Sequence, residues 1–215
     1  MMLAPSSPFE ILPRKYYRVI AIDPPMRFKS RTALQTANWS SRRDVEKHYR
    51  TMSFEQLASL PISELASSDG CHVFVWTSGP FLPQTIKLLN AWHFKYSTRV
   101  FTWIKLKPSF DPHQLRLTPL IESDLRLSLG LTTRAQSEIV LLGRRGNARR
   151  ISKSVREVIL APVREHSRKP AEFFHRVECY CAGPYLELFA RERRSGWDCW
   201  GDEVDKFSSM IGASA

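Results

Sequence analysis

Short apolar runs recur along this chain and alternate with stretches whose apolar residues fall three to four apart. Tyr17 to Ile22 is apolar apart from Arg18, too short for a helix, and reads as a buried strand. Cys71 to Trp76, Thr98 to Lys105 (with Val100, Phe101, Trp103 and Ile104), Glu138 to Leu142 and Val155 to Leu160 read the same way. Tyr185 to Ala190 is a last strong strand, and Trp197 to Trp200 is a candidate edge. Between these, Ser53 and Gln56 form a capping box at a helix start, with Met52 placed to staple onto Leu57. Pro80 to Trp92 is helical, with Leu82, Ile86 and Leu89 on one face, and Pro170 opens a helix carrying Phe173, Phe174, Val177 and Cys181. Strand and helix in alternation predict an α/β protein with a mostly parallel sheet covered on both faces.

Two stretches resist the pattern. Residues 27–47 are polar and basic, and residues 107–134 mix Pro108, Pro112, Pro119 and scattered leucines without a clean period. Long irregular segments in a compact domain are usually functional, and both follow strands expected to end near Asp23, so both are expected to face a substrate. With 215 residues, the expected organisation is an N-terminal arm over 1–15, one domain over 16–204 and a flexible tail over 205–215.

Composition narrows the classes. No apolar run approaches a membrane span and the N-terminus lacks a secretory pattern, so a cytoplasmic protein is expected. The four cysteines show no paired spacing and the six histidines no metal-ligand pair, so reduced cysteines and no metal are expected. A net charge of +11 favours a polyanionic partner. The excess includes arginine pairs suited to phosphate contacts, among them Arg42-Arg43, Arg144-Arg145 and Arg149-Arg150.

The candidate chemistry lies at Asp23-Pro24-Pro25-Met26, directly after the first strand. A buried strand ending in an acid and two prolines sets a carboxylate and stiff backbone at the carboxyl edge of the sheet, where open α/β sheets hold ligands. The nitrogen of an adenine 6-amino group is a poor nucleophile, because its lone pair is delocalised into the ring. Asp23 can accept one of its N–H protons and the Pro24 carbonyl, expected to have no other partner, can accept the second. Both bonds strengthen as positive charge develops on nitrogen.

Asp-Pro-Pro is followed in order by His48-Tyr49-Arg50-Thr51-Met52-Ser53, Val73-Phe74-Val75-Trp76-Thr77, Ala91-Trp92-His93-Phe94, Thr102-Trp103-Ile104-Lys105, His166-Ser167-Arg168-Lys169-Pro170, Tyr185 to Arg191 and Gly196 to Gly201. This ordered set resembles the MT-A type (MT-A70-like) family of adenine-N6 methyltransferases, over roughly Val19 to Glu203. The resemblance implies a Rossmann-like methyltransferase fold in permuted order, with the catalytic strand first and the cofactor strand near the C-terminus. It implies S-adenosylmethionine as cofactor, with Lys169 at its methionine part and Arg191 at its ribose. It also places Ile22, Asp23, Glu187 and Phe189 along the cofactor, and Asp202 and Glu203 where the family carries an amide pair. Met26 departs from the family's usual aromatic, a stacking surface worth roughly 1–3 kcal/mol per base. Methionine packs on a π face through its polarisable sulfur, but more weakly.

The resulting expectation is a methyltransferase acting on adenine in nucleic acid, with DNA favoured over RNA. Asp23, Pro24, Pro25 and Met26 would form the catalytic segment, and Arg42, Arg43, Arg149 and Arg150 would bind phosphates. A silent nucleic-acid-binding subunit supporting an active partner stays open, as do a small-amine substrate and pairing as a homodimer or heterodimer.

Overall fold

A computed structural model of the chain describes residues 8–26, 51–128, 133–165 and 167–207. Seven strands among them form one sheet: β1 (Val19–Ile22), β2 (Gly70–Thr77), β3 (Lys95–Leu106), β4 (Ser137–Gly146), β5 (Val158–Pro162), β6 (Tyr185–Leu188) and β7 (Trp197–Trp200), in the order β5-β3-β4-β2-β1-β6-β7. Only β4 runs against its neighbours β2 and β3; every other pairing is parallel. The mostly parallel sheet and the edge position of Trp197–Trp200 match the sequence pattern. The fifth strand starts at Val158 rather than Val155, where pairing with Thr102 of β3 begins.

The two-residue period of the strands separates the core into two layers. Ile20, Ile22, Val73, Val75, Leu141, Leu186 and Leu188 face one side, where α1 (Phe54–Ala58), α2 (Ile62–Leu65) and α3 (Leu82–Ala91) cover them. Val19, Ala21, Phe74, Trp76, Val140 and Leu142 face the other, against Phe173, Phe174 and Val177 of α4 (Ala171–Tyr180). The capping box at α1 forms as expected: Ser53 Oγ accepts from the Gln56 N–H, and Gln56 Oε1 accepts from the Ser53 N–H. Trp92 locks α3 to α1 by donating to the Leu57 carbonyl at 2.8 Å.

The buried face of α3 is turned from the expected one. Thr85, Leu88 and Leu89 are buried, with Leu82 and Ile86 at the rim. A threonine is tolerated there because its hydroxyl contacts Thr77 Oγ1 at 2.8 Å and the Phe81 carbonyl at 2.9 Å. The packed unit also reaches past both expected ends. Phe9 is buried with its ring edge-on to Trp200, 4.9 Å between centroids. Phe207 is buried with the Arg168 guanidinium 4.9 Å from its ring.

Gly70 pins the amino end of β2. A Cβ there would lie 2.4 Å from the Ala148 nitrogen and 2.6 Å from the Asn147 carbonyl carbon, backbone atoms that no rotamer change can move. Gly70→Ala is therefore expected to cost about 1–3 kcal/mol and lower Tm by several degrees, read by thermal unfolding. An unchanged Tm would mean that the 147–148 turn yields freely.

Candidate active site

β1 ends at Ile22 because the prolines at 24 and 25 carry no N–H for the ladder. Asp23 therefore stands at the carboxyl edge, between the parallel neighbours β2 and β6. The backbone there is not free, as the sequence suggested it would be. Met26 N–H donates to the Pro24 carbonyl at 2.7 Å, closing a three-residue turn, and Met52 N–H donates to the Pro25 carbonyl at 2.8 Å. One of the two acceptor positions of the Pro24 carbonyl is thus already used. Met26 itself is partly buried beside Met52 against the α1 side of the core, not in the lining of the cleft described below.

Beside Asp23 runs a chain of alternating charges. Asp23 Oδ2 lies 3.0 Å from Lys169 Nζ, Lys169 Nζ lies 3.0 Å from Glu138 Oε2, and Glu138 Oε1 accepts from Lys105 Nζ at 2.6 Å. Trp76 and Trp103 shield it, each with an ammonium 5.2 Å from its ring centroid. Burial would raise the Glu138 carboxyl, but the ammonium groups of Lys169 and then Lys105 outweigh it and hold the carboxyl at about 2. Burial would likewise neutralise Lys169; the Asp23 and Glu138 carboxylates push it above its ordinary range instead. The chain is balanced, two anions against two cations, which is what lets it sit in a largely dry place.

On the α4 side of Asp23 opens a narrow cleft of about 20 Å³, room for roughly one water. Its walls bring together five of the residues the sequence proposed for a cofactor: Asp23, Lys169, Glu187, Phe189 and Arg191. Two wall residues, Ser167 (φ 63°) and Phe189 (φ 61°), hold left-handed backbone conformations, and such strain concentrates at ligand sites. Glu187 Oε2 is sealed from solvent without a hydrogen-bond partner, and burial pushes the carboxyl up to about 8. Ile22 differs from the expectation, since its side chain belongs to the core on the opposite face. Asp202 is exposed beyond β7 and outside the lining, while Glu203 reaches the cleft through Arg191, 3.6 Å from its Nε.

The basic residues do not form one surface. Arg149 and Arg150 follow Ala148, which packs on Gly70 at the amino edge, so about 20 Å of strand separates them from Asp23. Arg42 and Arg43 lie outside the described residues, with the whole 27–47 segment. Arg144 donates to the Ala148 carbonyl and Arg145 to that of Ser63, so this pair has internal partners. Residues 107–128 leave β3 at the Asp23 edge and return there, with Arg126 N–H donating to the Lys105 carbonyl at 2.7 Å. Lys107, Arg116, Arg126 and Arg134 are exposed on or beside this segment.

Glu138 and Lys105 were not singled out from sequence. The available signal was a charged residue heading or closing an otherwise apolar strand, in Glu138-Ile139-Val140-Leu141 and Trp103-Ile104-Lys105. That signal is weak, because strand ends are often charged.

Residues 17–203 match the MT-A70 family. The chain is 29% identical over 209 residues to the type II methyltransferase M.MunI of a Mycoplasma species, covering 91% of this chain and 81% of that one. It is 28% identical over 213 residues to the human N(6)-adenine-specific methyltransferase METTL4, covering 92% of this chain but 39% of that protein. It is also 28% identical over 203 residues to the N6-methyladenosine RNA methyltransferase MTA1 of Cryphonectria parasitica, covering 89% of this chain and 52% of that one.

The charge chain generates a test of its own. Because the folded-state value of Glu138 lies below its ordinary 4.5, its contribution is present above that value and is lost as pH falls toward 2. Glu138→Gln should thus be less stable than wild type at pH 7 by on the order of 3 kcal/mol, and the gap should shrink at pH 3. Denaturant unfolding at both pH values measures it. A gap independent of pH would deny that the ion pairs are its source.

Proposed function

The chain belongs to the MT-A70 family, and on that premise we propose that it is an S-adenosylmethionine-dependent methyltransferase modifying the 6-amino group of adenine in nucleic acid, with DNA the favoured substrate. The single observation that carries this is the placement of Asp23. It stands at the carboxyl end of β1, on the wall of a cleft shared with Lys169, Glu187, Phe189 and Arg191.

The cleft fits the cofactor by its donor set. Glu187 offers a sealed, unpartnered oxygen to a cation, Lys169 and Arg191 offer positive charge to a carboxylate and to ribose hydroxyls, and Phe189 offers an apolar wall. At about 20 Å³ the cleft is smaller than the whole molecule, so it would take only the part that meets these groups unless its walls move. When bound, the cofactor supplies an electrophilic methyl group. The protein's part is to hold the amino group in line. Asp23 Oδ2 is engaged by Lys169, leaving Oδ1 to accept one amino N–H. The remaining acceptor position of the Pro24 carbonyl takes the second, in competition with the Met26 N–H. Both acceptors gain strength as the nitrogen becomes cationic, so they favour the transition state over the ground state. A base inside a duplex would have to be flipped out to reach this edge.

The similarity to M.MunI, whose name is that of a type II methyltransferase, over most of both chains supports DNA as the substrate. The positive charge at the same edge as Asp23 supports a polyanion, and Lys107 and Arg126 are the cations best placed for its phosphates.

Methyl transfer from labelled cofactor to DNA and to RNA, followed by nucleoside analysis, is expected to give N6-methyladenine from DNA. Asp23→Ala should lower the rate on the order of 100-fold or more with far less effect on cofactor affinity. No transfer to either polymer by the wild type would favour the silent-subunit reading. Activity undiminished in Asp23→Ala would refute the mechanism.

For binding to the polymer, log K should fall with log salt, and a Lys107→Ala/Arg126→Ala variant should flatten the slope by about two. Arg149→Ala/Arg150→Ala should change it less. The reverse ranking would move the polymer to the amino edge.

A further inference from the structure

Glu187 is the third residue of β6, flanked by the buried Leu186 and Leu188 and set opposite Ala21 of β1 and Cys199 of β7. The neighbouring backbone N–H groups serve the ladder, and no donor reaches its Oε2. Its Oε2 is sealed from water without a partner, and a carboxylate oxygen in that state is costly unless it carries a proton or meets a cation.

The charged neighbours do not supply that cation. Lys169, from the segment before α4, is shared between Asp23 and Glu138. Arg194, from the loop after β6, donates through Nη2 to Glu192 Oε1 at 2.7 Å and lies 3.6 Å over the Phe174 ring; its Nε is sealed without a hydrogen-bond partner and so does not bond Glu187 Oε2 either. Asp23 from β1 and Glu192 from the same loop add negative charge, and Cys199 from β7 is a thiol that burial keeps protonated. Burial is the first cause raising the Glu187 carboxyl, Arg194 and Lys169 oppose it, and Glu192 and Asp23 reinforce it, leaving it at about 8.

We propose that Glu187 is the neutral acid in the free protein and loses its proton when the cofactor's α-ammonium is seated against Oε2, so that cofactor binding releases a proton to solvent. This rests on the cofactor reading given above. The ammonium is the partner rather than the sulfonium, because it brings N–H donors that can satisfy the sealed oxygen and the sulfonium brings none. No covalent bond to the cofactor changes: the acid O–H ionises, the proton leaves to buffer, and one cation replaces another beside the same oxygen. The free protein thereby avoids an uncompensated buried anion, and a ligand without an ammonium gains nothing from Glu187.

Titration calorimetry with S-adenosylhomocysteine, which keeps the ammonium and cannot turn over, in phosphate and in Tris, counts the protons. At pH 7 most of a proton should be released per site, and clearly less at pH 8.5, where more of the free acid is already ionised. Glu187→Gln should bind more weakly and release none. Binding heat independent of buffer, or release unchanged in Glu187→Gln, would overturn the coupling.

A second measurement needs no ligand. Because the folded value lies above the ordinary 4.5, the stability tied to the neutral acid falls as pH rises from about 4.5 and is fully lost once pH has passed about 8. Wild type should lose Tm relative to Glu187→Gln between about pH 5 and pH 8 and level off above that, and a constant difference would overturn the neutral acid. Wild type that fails to bind S-adenosylhomocysteine would remove the cofactor reading and the coupling with it, while this titration still decides the protonation state of Glu187.

Discussion

The ammonium of Lys169, shared at 3.0 Å with Asp23 and with Glu138, is the contact on which the carboxyl edge of the sheet depends. It joins the end of β1, the start of β4 and the segment that leads into α4, and through Glu138 it reaches Lys105 near the end of β3. These are pieces of chain that sequence keeps far apart. Because β4 is the one reversed strand among the described residues, its first residues, not its last, arrive at this edge. Deleting one member of such a chain leaves a buried charge without its counterpart, which is why the four side chains behave as a unit.

The cleft beside this chain is organised by what is unpaired. Most charged groups around it are satisfied: Arg168 by Glu192 and Glu165, and Lys169 by its two carboxylates, whereas Arg194 meets Glu192 through one Nη and keeps a sealed Nε without a partner. Glu187 Oε2 is the exception among the carboxylates of the lining, and it shares the wall with two residues held in strained backbone conformations. An oxygen without a donor and a backbone out of its preferred basin both cost stability in the free protein, and a ligand that supplies the missing donor recovers part of that cost. The basic surface is divided in the same spirit. Arginines near strand ends tie loops to carbonyls, while the exposed Lys107 and Arg126 stand at the Asp23 edge.

Local physics made much of the molecule legible in advance. The capping box at Ser53 and Gln56, the apolar runs that became β1, β2 and β6, and the Phe173, Phe174 and Val177 stripe of α4 each depend on residues within a few positions of one another. So does the abrupt end of β1 at two prolines, which set Asp23 at a ligand edge, and the ordered motifs pointed to the right family.

Tertiary structure decided the rest, because those features depend on register and strand direction, which leave no local trace. The reversal of β4 delivered Glu138 to Lys169 and carried Arg149 and Arg150 to the far edge. The turn at Met26 took an acceptor position of Pro24 that composition alone left open, and drew the Met26 side chain toward the core. Glu187 looked like one acid in an apolar strand; only the packing of β1, β7 and α4 around it sealed its oxygen without a donor. Sequence settles which residues can do chemistry and where chains turn, whereas solvent exclusion and charge pairing are properties of the assembled neighbours.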